Sequence, residues 1–396
     1  MHFVRGWRVC QLKKNLLTSL CKNKFDFAGA KSILFLQTRE FIEFSHHITV
    51  TNEASHLSQL YDRYNFVVVP RYLMEGIVNW DKYCNEFCKE AEHNGKNATY
   101  CNTWLQYAKS LYEKKLPIIY NQKHLCLLLG YKEEYIYAAS NSALNFYRTY
   151  KIPKKNGGTR EISEPLPSLK EIQRWILDNV LAPVNISVYA KAYVKKKSIK
   201  ENARFHKRQP IVLSLDVERF FDSITSDKIY SLFLKLGYKE DVSVLLTNLC
   251  CLNGCLPQGA PTSPMLSNIV LTEFDNIIGK YTNEKKIRYT RYADDMTFSG
   301  DFKPGQIISF VKYNLSNLGL KLNERKIRTR KKCQRQEVTG IVVNEKMQLP
   351  KPVRKQIRQE MYYVRKYGLE SHMQYCDISK ENFLQHLKGR IQYGLF

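Results

Sequence analysis

Residues 286–300 read KIRYTRYADDMTFSG, and this stretch decides the fold. Two short β-prone runs flank Asp294 and Asp295, so it reads as two strands around a tight acidic turn. Adjacent carboxylates in an apolar setting repel each other and are costly to desolvate. Asp often shapes turns through its own side chain, which is the ordinary meaning of an isolated pair. Here a third carboxylate changes the reading. IVLSLDVERFFDSI, from Ile211, opens as a β-branched strand that ends at Asp216. Three carboxylates at strand ends suit a pair of Mg2+ ions, which take hard oxygen ligands from a few carboxylates and from substrate phosphates. Such a pair serves in-line displacement, with a sugar hydroxyl attacking and pyrophosphate leaving.

The bulk composition agrees with a polyanionic substrate. The chain has 396 residues, enough for two or three domains, and is 44% hydrophobic, enough for a sizeable core. Lys and Arg number 62 against 37 Asp and Glu, a net charge of +25, with most of the excess beyond residue 110. Charge of that size attracts nucleic acid. It is interleaved with 26 Tyr and 19 Phe, whose rings stack on unpaired bases when they are not simply core. The 11 cysteines are odd in number and lack the context of a disulfide scaffold. The opening MHFVRGWRVCQLKKNLL has no secretory h-region, and no run of about 18 apolar residues exists, so a cytoplasmic location without membrane contact is expected. Cys84, Cys88, His93 and Cys101 can be drawn as a zinc cluster, but their spacing matches no firm pattern. Cys250, Cys251 and Cys255 read as packing residues.

Outward from the acidic turn, strands and helices mix without βαβ alternation, which points to an α+β sheet. MEGIVNWDKYCNEFCKEAEH (residues 74–93) has helical periodicity, and VTNEASHLSQLYDRY from Val50 is helical too. Short helices follow from Leu116. FYRTYKIPKKNGGTREISEP, from Phe146, is a hairpin with a basic tip at NGG. SLKEIQRWILDNVL (168–181) starts on a Ser cap, and TSDKIYSLFLKLGY is a helix stopped by Gly. QIISFVKYNLSNLGLKLNERK reads as a helix and then a strand, EVTGIVVN with KMQLP as a small hairpin, and the tail from Lys351 as basic helix.

With these residues in place, a resemblance emerges. RYADDMTFSG looks like the YxDD turn of reverse transcriptases, with Tyr292, Ala293, Asp294 and Asp295 in the signature. Asp216 resembles that family's first metal-binding aspartate. The resemblance implies two Mg2+ ions on Asp216 and Asp294, with Asp295 in support. Phe221 falls where the family places a steric gate against the ribonucleotide 2′-OH; alone it would read as core. LPQGAPTSP (256–264) resembles the template- and nucleotide-contacting segment, with Gln258 and Gly259. The basic hairpin resembles the fingers, with Lys155 and Arg160 on the triphosphate. LNERK matches NxxK, which implies Lys326 as the general acid for pyrophosphate.

Two further motifs narrow the family. NARFH, with Asn202, Ala203 and His206, is similar to the NAxxH of bacterial retron reverse transcriptases. Val338, Thr339 and Gly340 form the VTG of the same group. The resemblance implies a right-hand polymerase: fingers, a palm of antiparallel sheet with helices on one face, and a helical thumb. The division expected is 1–115 as a mainly helical N-terminal extension of unassigned role, 116–345 as fingers and palm, and 346–396 as a short basic thumb. It also implies partners: dNTPs, a cognate structured noncoding RNA bound in part through Asn202, His206 and the VTG residues, and the DNA copied from it. Synthesis would start from a guanosine 2′-OH and give branched RNA-linked DNA. An effector protein encoded nearby would act with it in antiphage defence, and a host RNase H would remove RNA. The rival readings are a group II intron-like or defence-type reverse transcriptase, and a non-catalytic RNA-binding scaffold. The first lacks its maturase or endonuclease extension here, and intact aspartates oppose the second.

Overall fold

The computed structural model describes residues 79–153, 157–376 and 382–394. The helix expected from Val50 and the fingertip Lys155 lie outside them. Four helices open the described chain: α1 (Trp80–His93), α2 (Ala98–Glu113), α3 (Gln122–Leu129) and α4 (Glu133–Asn141). The first three start alike, on an asparagine whose side chain accepts the N–H three residues on: Asn79, Asn97 and Asn121. Tyr83, Phe87 and Tyr120 bury one aromatic seam among these helices, with the Tyr83 and Tyr120 hydroxyls 2.5 Å apart. The seam is tied to the following chain. Lys114 Nζ donates to the Leu236 carbonyl at 2.8 Å, Tyr238 donates to the Pro117 carbonyl, and the Lys239 ammonium lies 3.3 Å from the Trp104 ring centre.

Strands β1 (Tyr147–Pro153) and β2 (Thr159–Pro165) form the expected hairpin, with Gly157 and Gly158 at φ of 85° and 77° in its tip. Helix α5 (Pro167–Trp175) continues as a π-helical stretch, Ile176–Leu181. Ser168 does not cap it. Leu166 flanks the helix and Pro167 opens it, because proline presets the first-turn φ and has no N–H to satisfy. The Ser168 hydroxyl instead pairs with that of Tyr135.

After α6 (Ile199–Phe205) comes β3 (Ile211–Asp216), then α7 (Ser226–Leu236), α8 (Glu240–Cys250), α9 (Ser263–Val270) and α10 (Thr272–Glu284). Strands β4 (Arg288–Tyr292) and β5 (Asp295–Gly300) precede α11 (Pro304–Asn317), and β6 (Arg328–Lys331) follows it. The strand expected within LKLNERK starts later than read. Asn323 N–H is taken by the Asp216 carbonyl at 2.8 Å, so the chain turns there through a 3-10 segment, Glu324–Lys326, before β6. A short β7–β8 pair (Glu337–Val338, Ile341–Val342) carries the VTG turn, and α12 (Lys351–Tyr367), α13 (Leu369–Tyr375) and α14 (Phe383–Gly394) end the chain.

The central sheet has the order β4-β5-β3-β6 with every pair antiparallel, as expected of an α+β fold. Its register sorts the side chains by face, since alternate residues point to opposite sides. One face carries Leu213, Leu215, Met296, Phe298 and Tyr289, all buried. The other carries Asp216, Asp295, Ser214, Thr297, Arg328 and Arg330. No helix among the described residues is long and apolar enough to cross a membrane.

Gly279 of α10 sits under the Tyr189 ring, where an added Cβ would lie 2.0 Å from Cε2. Alanine is the better helix former, yet overpacking of this kind costs about 1–3 kcal/mol. Gly279→Ala is therefore expected to lower the urea midpoint at unchanged slope. A raised midpoint would show that the ring swings aside freely.

Candidate active site

The acidic turn is a two-residue hairpin loop. Tyr292 and Asp295 pair across it, leaving Ala293 and Asp294 as the loop. Ala293 has φ of 57°, the left-handed value that a hairpin of this length requires at its first loop position. A non-glycine residue there stores strain, which places Asp294 at the tip. Asp216 is the cross-strand partner of Asp295, and Val217 N–H bonds the Asp294 carbonyl at 3.2 Å. One antiparallel register thus brings Asp216 beside the adjacent pair Asp294 and Asp295, which starts 78 residues later in the chain.

Their electrostatics follow. Desolvation by the cleft walls raises Asp294 above the ordinary carboxylate range, and the Asp216 charge adds to it. Asp295 is pushed up to about 7 by the same desolvation, then by Asp294 and Asp216, although its surface stays open to solvent. Lys326 answers this charge, its Nζ lying 2.9 Å from both oxygens of Asp216. Desolvation works to lower this ammonium, but its hydrogen bonds to Asp216 and the three carboxylate charges outweigh it and hold it above its usual value. Lys326 is therefore protonated and half exposed at 55%, while its partner Asp216 is 8% exposed.

Two cavities open on this cluster. The larger, of about 1150 Å³, is lined by Asp216, Asp294, Lys326, Phe221, Gln258 and Arg160. Six of the residues singled out in the sequence thus converge on one cleft. Gly259 lies behind it at φ of 136°, and a Cβ there would meet the Ser163 carbonyl at 2.6 Å. The close approach lets the Gln258 carbonyl accept from Ser163 N–H at 2.8 Å, which ties this loop to the hairpin. The second cavity, of about 650 Å³, is lined by Asp295, Thr339, Gly340, Arg328, Arg330 and Arg335.

Asn202 and His206 sit elsewhere. Both are fully buried, so they have no surface with which to touch RNA, and any part in its recognition is indirect. His206 Nε2 lies 2.8 Å from Thr290 Oγ1, and Nδ1 lies 2.7 Å from Ser299 Oγ. Thr290 spends its one proton on Asn202 Oδ1 at 2.6 Å, so it must accept from His206 Nε2–H, and Ser299 must donate to Nδ1. The network braces β4 against β5 behind the acidic turn. Val338 is also buried, packed with Ala203 and Val212 in one apolar cluster, so the two short motifs meet in the fold. Thr339 and Gly340 have φ of 46° and 82° and face the second cavity.

A buried ion pair escaped the sequence reading. Arg291 and Asp275 are 1% and 0% exposed, and the guanidinium donates to both carboxylate oxygens at 2.7–3.1 Å. Its Nη1 also donates to the Ala293 carbonyl at 3.1 Å, beneath the strained turn. The signal was an arginine on a strand face that is otherwise apolar. Arg328 and Arg330 were missed too, although their alternation in RTRK puts both on one face. Among the described residues no group of three or more His, Cys, Asp or Glu is placed to hold a metal ion: the cluster drawn through Cys84, Cys88, His93 and Cys101 does not form, and Asp216, Asp294 and Asp295 are not by themselves a ready metal site.

Comparison with known proteins fits this geometry. The reverse transcriptase (RNA-dependent DNA polymerase) family matches residues 152–343. Retron Ec86 reverse transcriptase of Escherichia coli is 30% identical over 305 residues, which cover 76% of this chain and 90% of that protein. Retron Mx65 reverse transcriptase of Myxococcus xanthus is 30% identical over 287 residues, 66% of this chain and 67% of the other. Telomerase from Candida albicans, solved with a fragment of telomeric RNA, superposes with a TM-score of 0.39 at 10% identity over 56% of this chain and 50% of that one, too loosely to carry an argument.

Burial, with Arg288 and Lys191 adding to it, lowers His206 from 6.5 to about 3. Between these values the unfolded chain binds a proton that the folded chain refuses. The stabilisation is complete above about pH 6.5 and is lost as pH falls toward 3, at up to about 1.4 kcal/mol per unit. His206→Gln is expected to be less stable at pH 7.5 but to show a flatter decline from pH 6.5 to 4 in urea titrations. Parallel declines would mean that His206 is charged in the folded chain.

Proposed function

The chain belongs to the retron reverse transcriptases, RNA-directed DNA polymerases, and from that premise we propose that it copies part of a cognate structured noncoding RNA into DNA joined to that RNA, starting from a guanosine 2′-OH. The second cavity carries this reading. It is lined by Asp295, Thr339 and Gly340 and by Arg328 and Arg330, whose guanidinium groups suit the phosphates of an acceptor RNA strand, while Arg335 there pairs with Glu337 at 2.9 Å. The larger cavity is then the dNTP site. There Arg160 holds the triphosphate, Phe221 excludes a ribonucleotide 2′-OH, and Gln258, backed by Gly259, places the template; Lys155, expected to share the grip on the triphosphate, lies outside the described residues.

Asp216, Asp294 and Asp295 would hold two Mg2+ ions. The fit rests on the carboxylates' mutual charge, which a cation relieves, and on the Lys326 ammonium already drawn to Asp216. Mg2+ takes part of its shell from nucleotide phosphates, so the three carboxylates would complete its site only with substrate present. Bound there, Mg2+ would supply activation of the attacking hydroxyl and neutralisation of the departing pyrophosphate. Lys326 sits protonated at the same edge, placed to give its proton to that leaving group. Residues 116–345 act as fingers and palm, and 346–396 as a thumb on an RNA stem. In this reading the RNA-linked DNA serves antiphage defence with an effector protein, after a host RNase H removes template RNA.

Purified protein with its co-expressed native RNA, dNTPs and Mg2+ is expected to yield DNA that a 2′-5′ debranching enzyme releases from RNA. Asp294→Ala with Asp295→Ala is expected to lower the yield by at least about 10²–10³-fold, the scale seen when a charge-stabilising group is removed. DNA from a generic primed template alone would remove the priming proposal and leave the polymerase.

A further inference from the structure

Tyr193 stands out in the larger cavity. Its neighbours Ala190 and Ala192 are buried, yet Tyr193 itself is 50% exposed and lines the same cavity as Asp294, Arg160 and Phe221. Its φ is 61°, and a bulky aromatic residue in the left-handed region is an outlier that the surrounding structure must impose. Burial and then the Asp294 charge raise its hydroxyl, in keeping with a ring seated beside the acidic turn and neutral at physiological pH.

The fold shows what imposes it. Asn268 is fully buried and donates from Nδ2 to the Ala192 carbonyl at 2.9 Å, the peptide that leads into Tyr193. The same side chain accepts from Arg291 Nη1 at 3.1 Å, and that nitrogen also holds the Ala293 carbonyl, the peptide that leads into Asp294. Residues 189–191 are laced to Arg291 as well, through Arg291 N–H to the Tyr189 carbonyl and Lys191 N–H to the Arg291 carbonyl. One buried unit, Arg291–Asp275–Asn268, therefore fixes two left-handed residues, Tyr193 and Ala293, and with them the spacing between an aromatic ring and the catalytic turn.

We propose that Tyr193 packs its ring on the nascent base pair, between incoming dNTP and templating base, and that Asn268 is the positioning residue that sets the ring at that place. The ring shares its cavity with Phe221 and Gln258, which like it do not line the cavity of Asp295 and Thr339, whereas Arg160 lines both; its contact is therefore with the nucleotide side and not the acceptor strand. An aromatic face tolerates every base, which suits a polymerase that must accept four.

The proposal rests on reading the larger cavity as the nucleotide site. Its test is steady-state dNTP incorporation on an RNA template with an annealed DNA primer, which does not depend on the priming proposed above. Tyr193→Ala and Tyr193→Gly are each expected to raise KM for dNTP about tenfold with a smaller change in kcat, and Tyr193→Phe to recover most of that loss. Glycine accepts the local φ, so equal defects in Ala and Gly assign the effect to the ring and not to the backbone. Unchanged KM in both overturns the proposal. Asn268→Asp keeps the acceptor for Arg291 and removes the donor to Ala192. It is expected to raise KM in the wild-type background and to add nothing in the Tyr193→Ala background, while full additivity removes the positioning role. If Asn268→Asp does not fold, the Tyr193 series alone decides on the ring. Phe221→Val separates the premise: it should admit ribonucleotides, and if it does not, the reading of the cavity falls and the ring's role with it.

Discussion

Three carboxylates at the end of one antiparallel sheet repel each other, and much of the surrounding structure bears that repulsion. The register of β3 against β5 brings Asp216 opposite Asp295, and a strained Ala293 lifts Asp294 beside them. Lys326 neutralises one edge from a short turn that is itself hydrogen-bonded to the Asp216 carbonyl through Asn323. Behind the sheet, a second ion pair holds the Ala293 carbonyl where no solvent can. Truncating one partner of such a pair would leave a charge stranded in the core, so Arg291 and Asp275 stand or fall as a unit.

The acidic turn, the strand ending in Asp216 and the NxxK lysine were legible because each is a local pattern with few readings. So was the gathering of Phe221, Gln258 and Arg160, which follows once the polymerase pattern is recognised. The start of β6 was not, because a backbone bond from Asn323 to a strand more than a hundred residues earlier decides where the chain turns. Ser168 misled because Pro167 beside it opens the helix unaided.

NARFH shows the same limit from another side. Its residue types suggest a polar surface, and they lie inside the protein. Asn202 and His206 are buried because Thr290 and Ser299, 84 and 93 residues away from His206, supply the partners that the motif needs. Only the packing of Ala203 with Val338 reveals that NARFH and VTG meet in one buried cluster. Arg291 was in plain view within RYADD, yet nothing nearby announces Asp275 as its partner.

Strand β6 is an edge of the central sheet, with no further strand beside it among the described residues. Its free side would be a template for another chain, and Arg328, Arg330 and Lys331 put charge along it. The same arginines line the second cavity. If that cavity takes an RNA strand as proposed, the side chains that would hold the polyanion are the ones that guard the edge. Evolution toward a weaker grip on nucleic acid at this wall would have to find another guard for the edge, or accept a stickier protein.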